Sequence, residues 1–192
     1  MKRRLKRLIP GFRRIKRAWR SRGFGIHSPF AFRFVTCVLR ESGEYYAYRE
    51  LRSIAGSRRR FGRLALAFRL VCEFRPTDVS VSGDMDFIEA IARTVRLADS
   101  RINVNRVAEA DFTVERKTPM LCIIQSADSF DDVDFIESVF RREGAVAFMN
   151  ASGKEADRLR GLLLSGMSFY NRRAIILVSR HDLPRQNFEV NF

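Results

Sequence analysis

From residue 77 onward, short apolar runs alternate with longer amphipathic stretches. The run PMLCIIQ, residues 119–125, has the length and composition of a buried strand. The stretch DMDFIEAIARTVRLA, residues 84–98, repeats its apolar positions every three or four residues, which predicts an amphipathic helix. The same criteria predict strands at residues 78–83, 101–107, 119–125, 145–150, 172–180 and 187–192, and helices at residues 84–98, 131–142 and 153–164.

Strands that alternate with helices predict an α/β fold. We expect a Rossmann-like, doubly wound and mostly parallel sheet, because right-handed crossovers place helices on both of its faces. No helix separates residues 172–180 from 187–192, so these two strands are expected to pair as a C-terminal antiparallel hairpin at one edge. Fewer residues separate the first strand from Pro119 than two strand-helix units need, so one unit is expected to be missing.

Before residue 77, apolar residues follow helical spacing. Ser28 is expected to cap a helix that begins at Pro29, since a serine hydroxyl accepts a bond from a free N–H group and proline has no N–H to satisfy there. Arg75-Pro76 should end this helical part, which predicts a basic helical region at 1–75 and an α/β domain at 76–192. The helices predicted in the first region are residues 29–40, 44–55, closed by Gly56, and 58–74.

Positive charge is concentrated in the first region. The formal net charge is +14, and residues 1–75 have 21 Lys and Arg against 4 Asp and Glu, whereas residues 76–192 have 15 against 18. An arginine-rich surface of this kind favours a polyanionic partner, either nucleic acid or an anionic membrane surface. The predicted anion-binding residues are Arg13, Arg14, Arg17, Arg58, Arg59 and Arg60.

Residues 1–22 combine this charge with an apolar stripe. They contain eleven Lys and Arg and no acidic residue. Three interpretations stay open: an anchor in a lipid headgroup layer, a grip on a nucleic-acid backbone, and a solvated arm whose stripe packs on the rest of the protein. We expect a cytoplasmic protein that is at most peripheral at a membrane. The stripe consists of Leu5, Leu8, Phe12, Ile15 and Trp19.

Several kinds of enzyme site lack their motifs in this sequence. There is no G-x-x-x-x-G-K-[ST] loop and no G-x-S-x-G elbow. The three cysteines form no C-x-x-C pair, and two histidines are too few for a His-rich metal site, so we expect neither a disulfide framework nor a bound metal. Asp84 and Asp86 lie at the start of a predicted helix, where capping and the helix dipole explain acidic residues. His27, which precedes a helix cap, is expected to be structural.

Three stretches resemble one enzyme family. GFGIHSPFAF, residues 23–32, is similar to a G-x-G-[IV]-H-S-P-F-x-[FY] segment of a bacterial group of class I S-adenosylmethionine-dependent methyltransferases. YYAY, residues 45–48, and the tail from 168 to 192, with its Leu-Pro-x-Gln-x-Phe turn, also resemble that group. The resemblance implies S-adenosylmethionine as the cofactor and methyl transfer as the activity, and it leaves the methyl acceptor open.

The resemblance also implies where the cofactor would bind. In the family, the first strand ends in an acidic residue and a glycine-rich turn that lets the backbone approach the cofactor. Here Gly83 matches the first glycine, Val81 stands where the acid is expected, and Phe87 lies near the place of the second glycine. The cofactor-binding residues that the resemblance implies are Gly83, Asp84, Glu109, Gln125 and Asp128.

These departures leave two functions to be distinguished. One is a divergent methyltransferase. The other is a non-catalytic descendant that keeps the sheet and binds nucleic acid or an anionic membrane surface through its arginine-rich N-terminal region.

Overall fold

The computed structural model of the protein describes residues 15, 17–107, 120–127, 139–140 and 144–192. Within this part of the chain, seven strands form one sheet. They are β1 (Asp78–Ser82), β2 (Asn103–Arg106), β3 (Met120–Ile124), β4 (Gly144–Phe148), β5 (Met167–Tyr170), β6 (Ile175–Ser179) and β7 (Gln186–Glu189).

The strand order across the sheet is β2-β1-β3-β4-β6-β5-β7. The first four strands in that order are parallel, with Ser80 of β1 paired to Asn105 on one side and to Cys122 on the other. Strand β6 runs antiparallel to both of its neighbours, β4 and β5. The mixed, mostly parallel α/β sheet with antiparallel strands near the C-terminus is therefore confirmed.

The helices differ from the predicted ones by a few residues at their ends. They are α1 (Pro29–Arg33), a π-helical segment (Phe34–Leu39), α2 (Tyr48–Ala55), α3 (Arg58–Phe74), α4 (Met85–Ala98) and α5 (Gly153–Leu162). The predicted helix at 131–142 lies outside the described residues except for Val139 and Phe140, which are helical.

Local signals set several of these ends. The Ser28 hydroxyl accepts a hydrogen bond from Ala31 N at 3.3 Å, which confirms the predicted cap. Gly56 ends α2 in the left-handed conformation, with φ at 63°. Helix α2 begins four residues later than predicted, and the hydroxyl of Tyr46, which precedes it, donates to Leu97 O at 2.6 Å.

Each face of the sheet has its own core. In β3, Leu121 and Ile123 belong to one buried cluster, while Cys122 and Ile124 belong to the other. This alternation follows from the strand period of two, and burial on both faces explains why β3 is apolar throughout. Helices α1 to α4 cover the first face and α5 covers the second, so helices lie on both sides of the sheet.

The N-terminal helices share the core of the first face with the sheet. Phe34 is fully buried, and its ring centroid lies 4.8 Å from that of Phe169 in β5 and 5.9 Å from that of Phe74 in α3. Leu64 and Phe68 of α3 are buried in the same cluster. Apolar packing therefore joins residues from both sides of the predicted boundary at 75/76, and the division into two regions stays a prediction.

The predicted pairing of residues 172–180 with 187–192 as the C-terminal hairpin was wrong. The antiparallel partner of β6 within the hairpin is β5, a strand that the pattern analysis missed, and β7 instead pairs in parallel with β5. Strand β5 has only four residues and begins shortly after the helix Gly153–Leu162, so its own residues give little periodic signal. Its pairing depends on contacts with both β6 and β7, which residue spacing along the chain does not reveal.

Candidate functional site

The parallel strands bring several predicted site residues to one edge of the sheet. Strands β1, β3 and β4 end there, so Gly83, Asp84, Gln125 and Asn150 come together. Asp84, Gln125 and Asn150 line a cleft of about 570 Å³, here called the carboxyl-edge cleft, and Gly83 directly precedes Asp84. Ligand sites of open α/β sheets commonly occupy this position. The cleft is lined by Ser57, Arg59, Arg60, Arg63, Leu64, Asp84, Asp86, Phe87, Gln125 and Asn150.

Asp84 and Gln125 bind each other across the floor of the cleft. The Gln125 amide donates from Nε2 to Asp84 Oδ2 at 2.5 Å, and its Oε1 accepts from Asp84 N at 2.7 Å. Asp84 also caps α4, because its Oδ1 accepts from Phe87 N at 2.8 Å. The hydrogen bond from Gln125 is the main cause that lowers the pKa of Asp84, followed by the bond from Phe87 N and the charge of Arg60. Asp84 is therefore a satisfied carboxylate.

Gly83 permits this close packing. A Cβ atom at Gly83 would lie 2.6 Å from Gln125 Oε1 and 2.8 Å from a ring carbon of Phe87. Both distances are shorter than a Cβ contact allows, so any other residue would displace the side chains. The space that the absence of a Cβ atom at Gly83 leaves open is thus filled by the side chains of Gln125 and Phe87.

Arginines of α3 form the opposite wall of the cleft. Arg60 Nη2 donates to the main-chain oxygen of Asp86 at 2.9 Å, and Arg63 Nη2 donates to Asn150 Oδ1. Burial lowers the pKa of Arg63, and the charges of Arg59 and Arg173 lower it further. Several guanidinium groups therefore lie close together at this edge, and the hydrogen bonds of Arg60 and Arg63 go to neutral acceptors.

The structure distributes the predicted anion-binding residues over different places. Arg59 and Arg60 line the carboxyl-edge cleft, and Arg58 is exposed at the start of α3. Arg17 is only 8% exposed, and its Nε atom has no hydrogen-bond partner among the described residues. The predicted residues Arg13, Arg14, Glu109 and Asp128 lie outside the described residues.

Sequence reasoning missed three residues of this edge. Arg63 follows Arg59 by one helical turn, so the predicted helix at 58–74 already placed the two on the same side. Asn150 and Arg173 gave no such signal. They reach the edge because β4 pairs with β6, and Ala151 N donates to Arg173 O at 2.8 Å.

A second surface carries exposed apolar residues beside arginines. Ile15, Trp19 and Phe24 are each at least 60% exposed, and the ring centroids of Trp19 and Phe24 lie 5.6 Å apart. Phe32 lies next to them, with its ring against Gly23. We call Ile15, Trp19, Phe24 and Phe32 the aromatic surface. Ile15 and Trp19, the two members of the apolar stripe that the structure describes, are mostly exposed.

The chain fixes the segment that presents the aromatic surface. The Ser21 hydroxyl donates to Arg17 O at 2.6 Å and accepts from Asn191 N at 2.5 Å. Arg40 Nη1 donates to Ser21 O at 3.3 Å. These bonds tie the helical turn at 17–20 to the body, so Trp19 is held outward rather than left on a solvated arm.

The residues of the carboxyl-edge cleft fit S-adenosylmethionine poorly. Gln125 and Phe87 occupy the approach at Gly83, and Gln125 already binds the main-chain nitrogen of Asp84. The lining also carries more guanidinium groups than carboxylates, and like-charge repulsion disfavours a sulfonium cation beside guanidinium groups. Strand β2 ends in Arg106, whereas the family that the sequence resembles has an acidic residue there for the ribose. No methyl-transfer step follows from these residues.

None of the helices in the described ranges is both long enough and apolar enough to cross a membrane. Comparison of the chain with protein-family models, with curated proteins and with solved structures found no match.

Proposed function

We propose that this protein is a non-catalytic, cytoplasmic protein that binds peripherally to an anionic membrane surface through its N-terminal region. The observation that carries the proposal is the aromatic surface, which is exposed, held in place, and continuous in sequence with the most basic segment of the chain. Tryptophan and phenylalanine side chains gain free energy in the headgroup layer, where their rings leave water.

Positive charge supplies the second contribution. Arg20 and Arg22 follow Trp19 closely in the chain, and neither forms an ion pair among the residues that the structure describes. Each basic residue near an anionic leaflet contributes about 1 kcal/mol. Residues 1–22 contain eleven Lys and Arg and no acid, so no acidic side chain of the segment offsets this attraction. The sheet then acts as the support that holds the surface.

We expect the full chain to sediment with vesicles that contain phosphatidylglycerol and to stay in the supernatant with pure phosphatidylcholine vesicles. Raising the salt should weaken binding without abolishing it, since the aromatic contribution is not screened. Sedimentation at several salt concentrations measures both contributions. Binding to RNA that exceeds vesicle binding at equal salt would favour the nucleic-acid interpretation and would overturn the membrane assignment.

A divergent methyltransferase is the second candidate. It is supported by the mostly parallel sheet with C-terminal antiparallel strands and by the cleft at its carboxyl edge, an architecture that fits many functions.

We expect isothermal titration with S-adenosylmethionine or S-adenosylhomocysteine to give no binding heat at protein concentrations that detect a Kd of about 100 μM, or about −5.5 kcal/mol. The reason is that Gln125 and Phe87 fill the approach at Gly83. The melting temperature should also be unchanged by either compound. A clear binding heat with a raised melting temperature would restore the methyltransferase candidate and direct the search to methyl acceptors.

A further inference from the structure

We infer that the carboxyl-edge cleft binds a ligand through a terminal phosphate or diphosphate group, which the guanidinium groups of Arg59, Arg60 and Arg63 hold. This site is separate from the aromatic surface and does not depend on the proposed membrane binding. It also differs from an S-adenosylmethionine site, because the ligand group that it selects is an anion.

The guanidinium groups in the lining of the cleft outnumber the carboxylates, since Arg59, Arg60 and Arg63 lie there with Asp84 and Asp86. Among the described residues, no carboxylate lies within ion-pair distance of Arg59, Arg60 or Arg63. The acceptors that the structure provides are neutral: Asn150 Oδ1 for Arg63 and the main-chain oxygen of Asp86 for Arg60. Clustered guanidinium groups repel one another, and an anion bound between them relieves that repulsion.

The start of α3 adds to the positive potential. Helix α3 has 17 residues and begins at Arg58, so the positive end of its dipole points towards the same side as Arg59 and Arg60. Arginines at a helix start are unfavourable by themselves, because charge and dipole have the same sign. A bound phosphate is attracted both by the arginine charges and by the positive end of the helix dipole.

The side of the cleft that faces α3 affects which ligands the cleft can bind. The carboxylate of Asp84 already accepts hydrogen bonds from the Gln125 side chain and from Phe87 N. Leu64 and Phe87 add apolar surface to the lining. The lining therefore combines guanidinium groups on α3 with the carboxylates of Asp84 and Asp86 and some apolar surface, so an anionic group attached to an organic body would bind on the α3 side.

Phosphate matches the guanidinium groups on α3 better than a carboxylate does. Guanidinium groups bind phosphate oxygens in pairs of parallel hydrogen bonds, and three guanidinium groups can share the three free oxygens of a terminal phosphate. The same chemistry occurs on soluble phosphorylated compounds and on a lipid headgroup with a terminal phosphate. The test below separates these two sources.

The test uses the full chain and sodium pyrophosphate as the probe, at constant ionic strength. Pyrophosphate is expected to give binding heat and to raise the melting temperature. Arg63→Met, which keeps the length of the side chain and removes its charge, should weaken binding at least tenfold. Arg93→Met is the matched control, because Arg93 is an exposed arginine on α4 outside the cleft, and it should leave the affinity unchanged.

A second variant protects the test from a folding defect in Arg63→Met. Asn150→Asp keeps the size of the side chain and places a carboxylate at the atom that Arg63 already contacts. The internal ion pair should compete with the ligand and weaken pyrophosphate binding by a similar factor. No binding heat for the unsubstituted protein would overturn the inference. So would equal losses in Arg63→Met and Arg93→Met, since they would indicate diffuse attraction.

Vesicles that contain phosphatidic acid provide the other arm, with phosphatidylglycerol vesicles of equal surface charge as the reference. If the ligand is a lipid headgroup, Arg63→Met should abolish the preference for phosphatidic acid. If the ligand is soluble, the variant should bind both vesicles as the unsubstituted protein does and lose only pyrophosphate binding. Failure of all vesicle binding would overturn the membrane proposal and leave the pyrophosphate result unaffected.

Discussion

Replacing both Trp19 and Phe24 by alanine is expected to lower the partition coefficient onto anionic vesicles about 100-fold. Each ring contributes about 1.5 kcal/mol when it leaves water, which is close to a tenfold change in binding. Both rings are mostly exposed, so their loss costs the free protein little packing. Vesicle sedimentation with varied lipid concentration measures the change directly.

The matched control is Leu164→Ala. Leu164 is 81% exposed, lies just beyond α5, and does not belong to the aromatic surface. Its replacement should leave vesicle binding within about twofold of the original. Equal binding by the Trp19→Ala, Phe24→Ala protein and the unsubstituted chain would mean that charge alone attracts the protein, and the proposed role of the aromatic surface would be wrong. Far-UV circular dichroism should be unchanged in all three proteins.

The second large effect concerns stability. Phe34→Ala is expected to lower the free energy of unfolding by about 3–5 kcal/mol, because the substitution empties a fully buried site between α3 and the sheet. Urea denaturation with linear extrapolation provides the measurement. One cooperative transition is expected for the unsubstituted chain, since Phe34 belongs to a core that extends from the N-terminal helices to β5.

Phe32→Ala is the control, with the same residue type two positions earlier. Phe32 is 47% exposed, so its loss should cost about 1 kcal/mol or less. If Phe34→Ala costs no more than Phe32→Ala, the N-terminal helices do not share a core with the sheet in solution. Two separate urea transitions would give the same answer and would support independent folding of residues 76–192.

Much of the architecture could be predicted because its signals are local. Buried parallel strands such as β3 read as continuous apolar runs, and helices such as α3 repeat their apolar positions every turn. Ser28 and Gly56 act on the backbone within four residues of themselves, so their capping roles are visible in the sequence. Strand β5 was missed because four residues give too short a pattern, and its strand partners are set by the sheet.

Several residues of the candidate site could also be predicted from the sequence, but their arrangement could not. Gly83, Asp84 and Gln125 were found through a family resemblance, whereas Arg58, Arg59 and Arg60 were found through charge. Nothing in residue spacing indicated that Asp84 and Gln125 share a cleft with Arg59 and Arg60. Asn150 was predicted only as the end of a strand, and its bond to Arg63 arises because β4 and α3 meet at the carboxyl edge.

Composition and apolar periods of two or about four residues were enough to predict the α/β class, most of the helices and strands, and the concentration of positive charge near the N-terminus. The tertiary structure was needed to see that Gln125 fills the approach at Gly83, that arginines of α3 face it, and that Trp19 is held outward. These contacts join residues tens of positions apart, and packing of the sheet against its helices selects them.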